Sequence, residues 1–115
     1  MPNNNYEAGR QFEYRCMREL RKKGRYVVTR AAGSHGPIDI WAVGVEPGTH
    51  RLLLIQCKKT GKLPLAERNI IVRVAEIAGG LPIMTYCEKG TGRIVWNRLH
   101  TDGVPDEEVT IWRQT

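Results

Sequence analysis

Two short stretches of this sequence hold residue types that could do chemistry together. One is Gly33-Ser34-His35-Gly36-Pro37-Ile38-Asp39-Ile40, where a carboxylate stands at the point a glycine loop turns into an apolar strand. The other is Leu52-Leu53-Leu54-Ile55-Gln56-Cys57-Lys58, an apolar strand that ends in a polar residue, a spacer and a lysine. Alternate side chains of a strand share a face. Leu52, Leu54, Gln56 and Lys58 therefore point one way, and Leu53, Ile55 and Cys57 the other. If the two strands pair, Asp39, Gln56 and Lys58 meet at one end of a sheet. A carboxylate, an amide oxygen and a lysine suit metal-assisted cleavage of a phosphodiester, which needs oxygen ligands for a hard cation and positive charge for the developing phosphorane. Mg²⁺ is content with one or two carboxylates plus waters and substrate phosphate, so Asp39 with Glu13 suffices in principle.

Singly, each residue has a plainer explanation. An aspartate opening a strand commonly caps a turn, and a strand-ending lysine is commonly a solvated edge residue. Glu13 neighbours an apolar helical stripe, and helix statistics favour a solvated glutamate paired with Arg10 or Arg18. The rarer feature is the combination.

The elements that must position these residues follow from periodicity. Phe12, Cys16 and Leu20 recur every fourth residue, which predicts a helix over 6–23 with Gly9 and Met17 widening its stripe and Gly24 ending it. Residues 26–30 predict a short β-branched strand, 31–36 a loop of small residues, and 38–45 a strand covered on both faces. Pro47-Gly48 predicts a turn into an antiparallel partner at 51–58. A second helix is expected over 66–78, with Ile70, Ile71, Val74, Ile77 and Ala78 on its apolar side and Gly79-Gly80 stopping it. A hairpin of 81–87 with 93–99 follows, and 109–112 is expected to add a short edge strand. The fold class is α/β: a single mixed β-sheet flanked by helices in αβββαββ order.

Composition narrows the function classes. The chain has 115 residues, 41% of them hydrophobic, the length of one domain with a core of its own. No apolar run is long enough to span a bilayer, and the polar start Met1-Pro2-Asn3-Asn4-Asn5 has no signal-peptide pattern. Three cysteines (Cys16, Cys57, Cys87), none in a Cys-x-x-Cys pair, argue against a disulfide framework and a zinc ribbon, and read as buried thiols in a reducing cytoplasm. The net charge of +6 is uneven: eight Arg and Lys precede residue 31 against Glu7, Glu13 and Glu19, whereas four acids follow His100. A polyanion would be drawn to the first half of the chain and to Lys58-Lys59-Thr60-Gly61-Lys62. That loop is no Walker motif, because the position five before Gly61 is Gln56. No Ser/His/Asp order or paired histidines at zinc spacing competes, and a lone loop histidine such as His35 is left outside the catalytic set. Phe12, Trp41, Trp96 and Trp112 lie in no basic-aromatic cluster and read as core or interface anchors.

Over residues 9–58 the chain resembles the PD-(D/E)xK nuclease superfamily, and within it the archaeal-type Holliday junction resolvases. Glu13 matches the helix-one glutamate, Arg30 and Ser34 the arginine and serine around the flexible loop, Asp39 the motif aspartate in Pro37-Ile38-Asp39-Ile40, and Lys58 the motif lysine. Where the family usually carries a second carboxylate, this chain has Gln56.

The resemblance implies a restriction-endonuclease-like core, a single nuclease domain over 1–115, and a Mg²⁺-dependent endodeoxyribonuclease, with Mn²⁺ as a substitute. It further implies resolution of four-way junctions by paired nicks, in DNA recombination and repair, by a homodimer with branched DNA as partner and no membrane. Glu13, Asp39 and Gln56 would hold the metal and Lys58 would complete the catalytic set, with Arg10, Arg30, Ser34, Lys59 and Lys62 along the DNA backbone. Gln56 leaves two readings open. It is a neutral ligand in an active site, or the site has decayed and the chain only binds DNA. A sequence- or lesion-directed nuclease of the same superfamily, and a purely structural protein, are the further alternatives.

Overall fold

Phe12, Cys16, Met17 and Leu20 form the buried stripe of helix α1 (Asn4–Lys23), and Arg21, Lys22 and Lys23 occupy its last turn, where cations favour the helix dipole. The structure is a computed structural model describing residues 4–31, 36–101 and 104–111, with side chains from residue 8 onward. The expected end at Gly24 is observed, with an unexpected detail. The left-handed residue is Arg25 (φ 54°), not the glycine. Gly24 is needed for room instead, because a Cβ there would lie 2.5 Å from the Tyr26 ring.

Among the described residues six strands follow: β1 (Tyr26–Arg30), β2 (Ile40–Gly44), β3 (Leu52–Cys57), β4 (Leu81–Cys87), β5 (Ile94–Arg98) and β6 (Glu107–Glu108). They form one sheet in sequence order, with every neighbouring pair antiparallel except β3–β4. A parallel pair needs a crossover, and helix α2 (Leu65–Ala78) supplies it. The sheet is mixed and flanked by a helix on each face, the α/β class expected from the sequence.

The two faces bury different clusters. Against α1 lie Ile40, Ala42, Leu53, Ile55, Ile83, Ile94 and Trp96, joined by Tyr26 and Ile111. Against α2 lie Ile38, Leu54, Met84 and Leu99, with Ile71, Val72 and Ala75 from the helix. The period of two in β3 is therefore as predicted: Leu53 and Ile55 face α1, and Leu54 faces α2.

Four expectations need correction. Helix α2 is rotated from its expected face, because its apolar residues run almost all the way round and two stripes compete. The stripe that docks is Ile71, Val72 and Ala75, whose small alanine lets the helix approach the sheet, whereas Ile70 and Ile77 are 48% and 75% exposed. The edge strand falls at Glu107–Glu108, paired with Asn97 and Arg98, rather than at 109–112; Trp112 lies outside the described residues. The strand expected over 38–45 is shorter, because Ile38 and Asp39 stand just before it. Of the cysteines, only Cys16 is fully buried, while Cys57 and Cys87 are intermediate.

Candidate active site at one end of the sheet

Asp39 sits where β1, β2 and β3 come together. Its backbone N–H donates to the Ile55 carbonyl at 2.8 Å, and its own carbonyl accepts from the Ala31 N–H at 2.8 Å. The chain is thus clipped on both sides before β2 begins, which fixes where the side chain points. Its Oδ2 accepts the Cys57 backbone N–H at 2.9 Å. Gln56, only 5% exposed, is aligned by the same oxygen. With its amide turned so that nitrogen meets acceptors, Gln56 donates to Asp39 Oδ2 at 3.1 Å and to the Pro37 carbonyl.

Burial pushes the Asp39 carboxyl up to about 6; the Cys57 N–H opposes this, Glu13 adds to it, Lys58 opposes it and Glu67 adds to it. Three charged side chains from α1, β3's end and α2 therefore act on one carboxylate. Lys58 follows β3, its backbone N–H held by the Thr85 carbonyl at 2.9 Å. Its Nζ lies 3.6 Å from Glu67 Oε1, and both side chains are about a third exposed.

Glu13 faces the same end from α1, but it is neither solvated nor paired with Arg10 or Arg18, as helix statistics favoured. Its Oε1 accepts from Arg30 Nε at 2.8 Å, and the two side chains are about one-fifth exposed. The Arg30 guanidinium also lies 5.4 Å from the centre of the Tyr14 ring, a cation–π arrangement. Tertiary contact between α1 and β1 overrides the local helical pairing.

The arrangement brings Glu13, Asp39, Gln56 and Lys58 to one end of the sheet, together with Arg30. Arg10 lies half-buried on α1, while Lys59 and Lys62 are exposed in the turn after β3. Ser34 and His35 lie outside the described residues. Glu67 is the residue that sequence reasoning missed. Its only signal was an acid in the first turn of a helix, where such residues are common for dipole reasons alone.

The chemistry of the donors fits a hard divalent cation: the partly buried Asp39 carboxylate and two further carboxylates, all oxygen, with negative charge in excess, and Gln56 offering its amide oxygen only once its nitrogen leaves Asp39. Among the described residues no three His, Cys, Asp or Glu side chains stand close enough to hold an ion unaided. Waters and a substrate phosphate would complete such a shell, the habit of Mg²⁺. Cys57 is no nucleophile here, since the Cys16 side chain beside it and its burial hold the thiol well above its usual range.

No family model and no curated protein sequence matches the chain. Among solved structures, the fold is similar to that of Hjc, a Holliday junction resolvase from the archaeal hyperthermophile Archaeoglobus fulgidus, with a TM-score of 0.56 and 23% sequence identity. The match covers 89% of this chain and 83% of that one. At this identity the likeness is one of fold, and it agrees with the core that the sequence resemblance implied.

Proposed function

We propose that a chain with this fold and this cluster of charges is a metal-dependent endonuclease that nicks branched DNA, with the four-way junction as its substrate. The observation that carries the reading is the setting of Asp39. A partly buried carboxylate, raised to about 6 and acted on by Glu13, Lys58 and Glu67, is a costly arrangement for stability and a useful one for gathering a cation. Asp39, Gln56 and Glu13 would hold Mg²⁺ or Mn²⁺, which when bound supplies Lewis-acid stabilisation of the phosphate. Lys58 orients the attacking water and offers positive charge to the developing phosphorane. Arg30, held between Glu13 and Tyr14, Arg10 and Ser34 follow the strand near the scissile phosphate, and Lys59 and Lys62 follow it beyond. A two-fold symmetric junction needs two related cuts, which fits a homodimer. Among the described residues no helix is long and apolar enough to cross a membrane.

The test incubates purified protein with a labelled four-way junction and a linear duplex of matching sequence, with Mg²⁺, beside Asp39→Ala and Lys58→Ala. Paired nicks on the junction alone, lost in both variants, are the expected result. Equal cutting of the linear duplex would favour a sequence- or lesion-directed nuclease. A junction that is bound but left whole in both Mg²⁺ and Mn²⁺ would leave a silent DNA-binding module. A stable monomer in light scattering, with and without junction, would overturn the paired-nick mechanism.

A further inference from the structure

A cavity of about 760 Å³ opens beside the end of β4, between the turn that follows Lys58 and the β4–β5 turn. Its walls include Lys59, Thr60, Tyr86, Cys87, Lys89 and Gly92. This volume lies within the range of sites that take a small molecule or one unit of a polymer, roughly 300–1,000 Å³. Arg15 of α1 braces the far wall, donating from Nη2 to the Gly92 carbonyl at 2.9 Å and from Nη1 toward Cys87 Sγ at 3.8 Å.

The charge available in the cavity is positive. Glu88 also lines it, but its carboxylate is engaged by Arg93 Nη2 at 2.9 Å and by the Thr91 hydroxyl at 2.8 Å. Lys59 and Lys89 are exposed at its rim, and neither forms an ion pair among the described residues. Between them stands Tyr86, half-buried, its ring anchored on the cluster beneath α2. Gly61 lies against that ring with φ 76°, and a Cβ there would come within 3.4 Å of it. The positive φ is what calls for glycine at 61, since a Cβ there would make only an ordinary van der Waals contact with the ring.

From these features we infer that the cavity receives a nucleotide turned out of the stack at a DNA branch, its base against Tyr86 and its flanking phosphates on Lys59 and Lys89. The inference rests on the DNA-cleaving reading and adds to it a subsite. Bases inside a duplex are stacked on each other and present no free π-face, so an aromatic wall in a concave basic site selects a nucleotide already unstacked. A four-way junction keeps its bases paired but interrupts their stacking at the branch, where a nucleotide is most readily turned out of its pair. The rim lysine Lys59 directly follows Lys58, so a strand held at the carboxylates has a short path into the cavity.

The test places the fluorescent base 2-aminopurine at successive positions beside the branch of a four-way junction, and at the same positions in a linear duplex. Binding is measured with Ca²⁺ to hold cleavage back. Wild-type protein is expected to change the fluorescence at one branch position and at none in the duplex. Tyr86→Leu should lose that change and Tyr86→Phe should keep it. Tyr86→Leu should also weaken junction binding by about tenfold. Lys89→Ala, a surface change that leaves the core alone, should reduce the slope of log affinity against log salt by about one. Uniform fluorescence at every position with a junction that is nonetheless bound and cut overturns the subsite and leaves the nuclease reading standing. So does a Lys89→Ala protein with unchanged affinity and salt slope. Wild-type protein that neither binds nor cuts the junction overturns the nuclease reading, and the subsite falls with it.

Discussion

Two partly buried carboxylates of the site, Glu13 and Asp39, are treated in opposite ways. Glu13, on α1, has a guanidinium 2.8 Å away and carries a local counter-charge. Among the described residues, Asp39, between β1 and β3, has on its Oδ2 an amide and a backbone N–H, while the nearby lysine is turned toward Glu67. Among the described residues, Glu13 has its counter-charge in direct contact, whereas Asp39 has only the more distant Lys58. The contrast teaches where a cation would bind most strongly: at Asp39, with Glu13 as a steadier second partner whose strength Arg30 moderates.

The strongest way to break the contrast is Asp39→Asn. Cleavage should fall about a thousandfold, because the amide gives up the charge that gathers the metal. The metal-free protein should at the same time become more stable. Asp39's folded-state pKa is raised from 3.8 to about 6, so the native state prefers the proton. Its contribution to stability is fully present below about pH 4 and is lost as pH rises through about 6. Removing the charge should thus gain about 1–2 kcal/mol at pH 7, after allowance for partial exposure, and nothing below pH 4. Denaturant titrations of both proteins at the two pH values measure this. Equal stability at both would mean the carboxylate is well solvated.

Gln56→Glu sharpens the contrast from the other side. It adds a second carboxylate where an amide now donates to Asp39, so the metal-free protein should lose stability while Mg²⁺ affinity rises and cleavage is retained. Lower Mg²⁺ affinity by calorimetry would refute neutral ligation by Gln56. Glu67→Gln should act more mildly, cutting cleavage about 10–100-fold by freeing Lys58 from its partner, and lowering the Asp39 pKa observed by NMR. A purely structural Glu67 would leave that pKa in place. The smallest effect belongs to the neutralised side, where a double-mutant cycle of Glu13→Gln and Arg30→Met should give a coupling of about 1 kcal/mol in stability.

What the sequence made legible is what depends on short-range period. A strand alternates in twos, so Gln56 and Lys58 could be assigned to the face of Leu54, and the structure buries Leu54 and Leu53 on opposite sides accordingly. Helix α2 was less legible. Ile70-Ile71-Val72, Val74-Ala75 and Ile77-Ala78 leave almost no polar face, so periodicity alone could not choose which stripe docks. Two features of the site were invisible for a different reason. The Glu13–Arg30 pair spans 17 positions and depends on how α1 lies along β1. Glu67 reaches Lys58 only because the crossover folds the first turn of α2 back over the end of β3.

The one parallel pairing among the described strands bears on the order in which the molecule assembles. The β1–β2–β3 meander closes through local turns, whereas β3 meets β4 only after the intervening helix has been laid down, a slower event for entropic reasons. Asp39 and Gln56 belong to the meander, and Glu67 comes with the crossover. We expect Glu67, which acts on Asp39 from α2, to arrive late, so that mutations in the β2–β3 turn slow folding while those at Glu67 chiefly alter the unfolding rate. Chevron analysis of both kinds of variant, with Glu67 changes slowing folding instead, would reverse that order.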